Sequence, residues 1–290
     1  MAAKTRNQNV ELLRIAAAFG IVQFHAGAPG AEVGYAGLIV FVAMSCLFEA
    51  SSGDRKSGAG TLAQKLLVPW AFWLVIYGVL NLVVKGRALD PDLPPLNAVL
   101  MGTGAHLWFL PFIFTVLVLV GSIKRAISAR TMLLASVLLA LVSLATVPWW
   151  RSAMNGFDAP VPQWIHAMPA VFIGLALGSA MAAGRTRPTY LVLALALLLS
   201  ALWQVPGVST VYLVGGGSLI AALVLPQLRL NVRPISDCMY GVYLVHLLAL
   251  AVFNRILGEH QLLTVCATFL ASLAGVWFAR KYIRPAQRVL

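Results

Sequence analysis

Ten stretches of this chain are so apolar, and so close to the length of one membrane crossing, that water is a poor solvent for most of their side chains. They run over 10–28, 33–50, 64–84, 106–122, 131–150, 164–183, 189–204, 210–227, 237–255 and 261–280. A bilayer's hydrocarbon core takes about 20 helical residues to cross. Backbone placed in lipid must satisfy its own hydrogen bonds, which leaves helices or a closed barrel. No two-residue alternation of the strand kind is present. The predicted fold is therefore all-α: a polytopic transmembrane bundle of about ten spans, forming one integral-membrane domain over residues 1–290. The seventh and eighth stretches are the least regular, broken by Pro206-Gly207 and Gly215-Gly216-Gly217.

Composition agrees. Hydrophobic residues make up 60% of the 290 and charged residues 10%, against about 25% charged in a soluble domain. Cys46, Cys238 and Cys266 all fall in apolar stretches and read as packing residues. The net charge of +12 would suit nucleic acid, but its distribution argues against that partner. One side of the predicted map collects Lys4, Arg6, Arg14, Arg55, Lys56, Lys65, Lys124, Arg125, Arg130, Arg185, Arg187, Arg229, Arg233, Arg280, Lys281, Arg284 and Arg288. The other collects Lys85, Arg87, Arg151 and Arg255. That is 17 against 4 of the 21 basic residues, and the positive-inside rule then puts both termini in the cytoplasm. Adding or removing one span would spoil the separation. The excess charge reads as a topology signal with attraction to anionic lipids as membrane partners. The N-terminus resembles a signal peptide, but Glu11 and Arg14 interrupt its apolar run, so an uncleaved first helix is expected.

Arg14 and His25 lie inside that first stretch. Ionisable groups are costly in a bilayer, and a protein that keeps them there generally uses them. Eleven residues at 100° each come within about 20° of three full turns, so both side chains share one helix face, their backbones about 16 Å apart. One face thus carries a fixed cation near one membrane surface and a titratable imidazole near the other.

Three segments carry a family resemblance. The first runs Asn9-Val-Glu-Leu-Leu-Arg14 and on to His25. The second is His106-Leu-Trp-Phe-Leu-Pro111. The third is Ser236-Asp-Cys-Met-Tyr-Gly-Val-Tyr-Leu-Val-His246. In type, spacing and order they resemble the membrane acyltransferase family 3, integral-membrane O-acyltransferases of cell-surface glycans. There are departures: Ser45-Cys46 stands where a Ser-Gly pair is expected, Met239 where serine is common, and the arginines usual before the third helix are reduced to Lys65. The resemblance implies transfer of an acyl group, acetyl by preference, from cytoplasmic acyl-CoA to a hydroxyl of a surface or exported glycan or its lipid-linked precursor. It also implies a bacterial inner-membrane location.

Residue chemistry fits that task. Arg14 can hold an anionic or carbonyl group at the cytoplasmic end, with the pantetheine arm filling the distance to His25. A sugar hydroxyl is a weak nucleophile, and a neutral imidazole can take its proton or carry the acyl group itself. The candidate catalytic residues are His25 and His106. Arg14 and Lys65 are the candidate donor contacts, and Trp108, Tyr240, Tyr243 and His246 the candidate acceptor contacts. Acyl-CoA is the co-substrate, and the histidines lack metal spacing. Each residue has a plainer reading. Arg14 can pair with Glu11 one turn away. His106 can cap its helix, and Trp108 can sit at an interface. Tyr240, Tyr243 and His246, following Ser236 as N-cap, can bond between helices. His166 and His260 read as interfacial, and Asp237 as a partner of Arg233. The rival class is an exporter of a glycan or small metabolite, which would place its site near the midplane at broken helices.

Overall fold

The computed structural model describes residues 6–52, 58–258 and 260–290; Lys4, Arg55 and Lys56 lie outside them. Ten principal helices follow the ten apolar stretches: α1 Gln8–His25, α2 Ala36–Ser51, α3 Ala59–Lys85, α4 Phe109–Ala126, α5 Ala129–Ala145, α6 Val161–Ala182, α7 Thr186–Ala201, α8 Ser209–Val224, α9 Met239–Leu257 and α10 Gln261–Tyr282. No strand occurs among the described residues.

Among the described residues, six helices have the length and apolarity to cross a bilayer: α2 with its lead-in turn Ala31–Gly34, α3, α4, α6, α9 and α10. Helix α5 meets the following short helix at a bend of 74°. Helices α7 and α8 are apolar but have 16 residues each, about 24 Å of rise against about 30 Å of hydrocarbon. Helix α1 has the length, 18 residues, but carries Glu11 and Arg14. On α7 and at its C-cap, Leu191, Leu195, Leu198 and Leu202 form one stripe, each more than half exposed. Such a stripe is a liability in water and an ordinary surface in lipid. The chain is a multi-pass membrane protein.

The described chain divides into two compact units, one of residues up to Phe41 with Pro206–Arg288 and Leu290, the other Val42–Val205 with Val289. In the first, Ala18 and Val22 of α1, Met239 and Val242 of α9, and Val265, Phe269 and Val276 of α10 form the core. Phe19 meets Phe269 edge to face at 5.4 Å. Close approach needs glycine at two places. A Cβ on Gly20 would lie 2.7 Å from the Gly34 carbonyl oxygen, and one on Gly215 would lie 2.7 Å from Ile39 Cβ. The Gly215–Gly217 run is therefore a packing surface at its first residue. Small residues at helix contacts are what membrane packing favours.

In the second unit α6 is the central helix, with Ala167, Ala170, Ile173, Ala176, Leu177 and Ala180 fully buried. The 86–108 connection is held by Asn81, whose Nδ2 donates to the Thr103 carbonyl at 2.7 Å, and by Thr103, whose Oγ1 donates to the Leu74 carbonyl at 2.7 Å.

Candidate active site

Helix α1 starts where the Asn7 side chain accepts from the Asn9 and Val10 amides, covering two of the N–H groups a helix start leaves open. Glu11 in the first turn is favoured by the helix dipole. It is also buried, at 3% exposure, so its carboxylate needs close donors. Arg14 Nη1 donates to Glu11 Oε2 at 2.9 Å, and Ser236 Oγ donates to the same oxygen. Arg14 Nη1 also reaches Ser236 Oγ at 3.4 Å. Arg6 Nη1 lies 3.6 Å from Glu11 Oε1 and donates to Asp237 Oδ1 at 2.9 Å. Arg233 Nε donates to Asp237 Oδ2 at 3.4 Å, and Arg280 donates to the Asp237 backbone carbonyl.

Two neighbouring amides extend this clasp. Asn9 Nδ2 donates to the carbonyls of Leu225 and Pro226 at 3.1 and 3.0 Å, while its Oδ1 accepts from the Leu228 amide at 3.0 Å. Gln8 Oε1 accepts from the Val232 amide at 3.0 Å. The pairings expected for Arg14 with Glu11 and for Asp237 with Arg233 are both present. Ser236 corrects the sequence reading. It does not cap α9, whose N-cap position is Cys238 with no side-chain cap bond; its hydroxyl goes instead to a buried carboxylate, the stronger acceptor. Arg14 is not used up by this contact. A guanidinium has five N–H donors, and the side chain keeps 24% exposure.

His25 ends α1, which turns away at Gly27 in the left-handed region, φ 62°. Phe24 stacks on Tyr35, centroids 4.4 Å apart. The His25 ring lies 5.1 Å from that of His246, the planes inclined 44°. His246 is fully buried on α9, and its Nδ1 lies 2.6 Å from the Tyr243 carbonyl oxygen. A carbonyl only accepts, so Nδ1 carries the proton and donates. The Tyr243 ring is 6.2 Å from the His246 ring; Tyr240 sits one turn earlier, half-buried. The first unit therefore holds Arg14, His25, Tyr240, Tyr243 and His246 among α1, α9 and α10. His25 and His246 are thus neighbours although 221 positions separate them in the chain.

Lys65, His106 and Trp108 belong to the second unit. Lys65 is exposed on α3, one turn before Pro69. His106 was expected to open the fourth span, but α4 begins at Phe109. The His106 ring sits in the preceding turn, buried at 3% exposure and edge-on to Tyr77 at 5.4 Å. Trp108 is buried against Phe109 and Phe112, not lying at an open interface. His166, expected at an interface, is buried inside α6 with Trp150 at 6.2 Å; His260 is exposed at the start of α10. Among the described residues no group of three or more His, Cys, Asp or Glu side chains is placed to hold a metal ion.

The family follows from the sequence match. The profile of the acyltransferase domain called Acyl_transf_3 matches residues 7–281, from just before α1 to the last turn of α10, and the chain belongs to that acyltransferase family. No curated protein and no solved structure gives a match. The protein is a membrane acyltransferase that uses an acyl donor as co-substrate.

Proposed function

We propose that the protein is an O-acetyltransferase of the bacterial inner membrane. It moves an acetyl group from cytoplasmic acetyl-CoA to a hydroxyl of a surface or exported glycan or its lipid-linked precursor. The carrying observation is the shared face of α1, on which Arg14 and His25 mark the two ends of a path of about 16 Å. The arrangement around His25 supports a role as general base: it ends α1, stays partly exposed, and rests against a second imidazole. As base, His25 takes the hydroxyl proton while the hydroxyl oxygen attacks the thioester carbon. The C–S bond then breaks, and the proton passes from His25 to the departing thiolate. The same nitrogen suits covalent carriage of the acyl group. Arg14, still partly exposed, supplies donors for an anionic or carbonyl group of the donor. Tyr240 and Tyr243 offer hydroxyl and ring contacts to the acceptor. Lys65, His106 and Trp108 keep the roles the family resemblance implies for them as separate parts of the proposal, each tested by its own alanine variant.

The decisive experiment is acetylation of surface polysaccharide in cells with and without the protein, read as alkali-released acetate. Loss of acetate on deletion and its return on complementation are expected; equal acetate in both would overturn the assignment. The proposed map has ten spans with both termini cytoplasmic. A reporter fused after Leu290 should report the cytoplasm, and one placed in the 86–104 loop the opposite side. Matching locations would overturn the map.

A further inference from the structure

We propose that Arg6, Arg233 and Arg280, gathered on Asp237, form a phosphate-binding site at the Arg14 end of α1. Neither the family match nor the proposed transfer gives these three arginines a role. The site stands on a charge imbalance, on a set of open donors and on where along α1 they lie.

Asp237 draws three guanidiniums to one residue. Its Oδ1 accepts from Arg6 Nη1 at 2.9 Å, its Oδ2 from Arg233 Nε at 3.4 Å, and its backbone carbonyl from Arg280. Arg6 also lies 3.6 Å from Glu11 Oε1, while Glu11 Oε2 accepts from Arg14 at 2.9 Å. Four guanidiniums therefore meet two carboxylates, and two positive charges are left over. Pairing alone accounts for one cation per carboxylate. The contact of Arg280 with a carbonyl leaves its charge uncompensated. Cations that share one residue are too close for physiological salt, with a Debye length of about 8 Å, to screen them from one another. They repel unless an anion joins them.

The donors for that anion are in place. A guanidinium carries five N–H groups in a planar fork. The contacts above use Nη1 of Arg6, Nε of Arg233 and Nη1 of Arg280, and among the described residues no further acceptor meets these three side chains. The side chains of Arg6 and Arg233 are 47% and 56% exposed, so their remaining N–H groups are open to a ligand. Arg233 keeps both terminal nitrogens, the pair that grips a phosphate through two parallel bonds. Asp237 holds the forks in one place before the ligand arrives, which lowers the ordering cost of binding.

Two carriers bring phosphate to this end of the helix. In the proposed reaction the thioester meets His25, and the phosphates of CoA lie at the other end of its arm, towards Arg14. That carrier rests on the proposed function. The second is the headgroup of an anionic phospholipid, which rests only on the membrane setting. The chemistry recognised is the same in both: a phosphate ester held between guanidinium forks.

The test uses the full-length protein in nanodiscs, with two probes. Discs of phosphatidylcholine alone are titrated with radiolabelled CoA. Discs of equal parts phosphatidylcholine and phosphatidylglycerol are read by native mass spectrometry for phosphatidylglycerol retained on the protein. Arg6→Gln and Arg233→Gln alter exposed pairs that add little to the fold. Each should weaken binding of the true carrier by about 3- to 10-fold with the melting temperature unchanged, and Arg233→Lys should recover part of the loss. Asp237→Asn should act the other way and tighten binding several-fold, because it removes an anion that competes for the same forks. A cluster that only fastened the chain would give no such gain. Losses for CoA name the donor as the carrier, and losses for phosphatidylglycerol name the lipid. Wild-type protein that holds phosphatidylglycerol through these arginines but binds no CoA would keep the site and mark the proposed function as the part that failed. Glutamine variants that bind both probes as the wild type does, or a wild type that binds neither, would overturn the site.

Discussion

At its Arg14 end α1, with Arg6 just before it, is bound to the 225–237 segment by directed polar bonds: Glu11 and Arg14 to Ser236, Arg6 to Asp237, Asn9 to three backbone groups. At its His25 end the helix is held by ring contacts, Phe24 on Tyr35 and His25 beside His246. The first kind of contact is expensive to break because it leaves a buried carboxylate without donors. The second loses little packing when one partly exposed ring is trimmed. On the proposed function, one helix carries a fold-holding clasp at one end and the proposed base at the other, and substitutions at its two ends should fail differently.

His25→Ala is the largest expected effect on turnover: a loss of about 10²- to 10⁴-fold in transfer, the share general-base catalysis supplies, with the melting temperature in nanodiscs nearly unchanged. Near wild-type acetylation at equal expression would remove His25 from the mechanism. Glu11→Ala inverts the pattern. It should destabilise the fold by about 2–4 kcal/mol, visible as a lower melting temperature and poor recovery, with residual activity per folded molecule kept. A stable but inactive Glu11→Ala would mean that the clasp belongs to the chemistry after all.

Gly20 lies between the two ends. A Cβ there would stand 2.7 Å from a backbone oxygen of Gly34, which cannot move as a side-chain tip can. Gly20→Ala should cost about 1–3 kcal/mol and lower the melting point, and an unchanged melt would show that the helix tolerates a shift. The smallest and sharpest test is at Arg14. If it also serves the donor, Arg14→Ala should weaken acetyl-CoA binding to purified protein by about tenfold, and Arg14→Lys should restore part of it, since lysine keeps the charge and loses the planar fork. Unchanged affinity with a lowered melting point would leave Arg14 as a partner of Glu11 alone.

The helices were legible in the sequence because apolar runs of membrane length have few alternatives in lipid. The shared face of Arg14 and His25 was legible because it needs only the 100° step of one helix. The Glu11–Arg14 pair was legible for the same reason, being three residues apart. What the sequence concealed is non-local. His246 meets His25 across 221 positions, through a helix crossing that periodicity does not encode. Ser236 stands where an N-cap belongs, and only the buried carboxylate of Glu11, 225 positions away, explains why it does something else. His106 was placed on a helix that begins three residues later, because the ends of apolar runs do not specify where helical hydrogen bonding starts.

The unit that holds His25 is assembled from opposite ends of the described chain, residues up to Phe41 and Pro206–Arg288, and this has a consequence for biosynthesis. At translation rates of about 5–20 residues per second, α1 precedes Ser236 and His246 out of the ribosome by more than about 10 s. Throughout that interval Glu11 has neither the serine nor the 225–237 segment to donate to it. Arg14, one turn away on the same helix, is the donor already present, so the local ion pair lets a carboxylate wait in a nascent membrane helix until its distant partners arrive. Before α9 is made, the His25 ring lacks its neighbour as well.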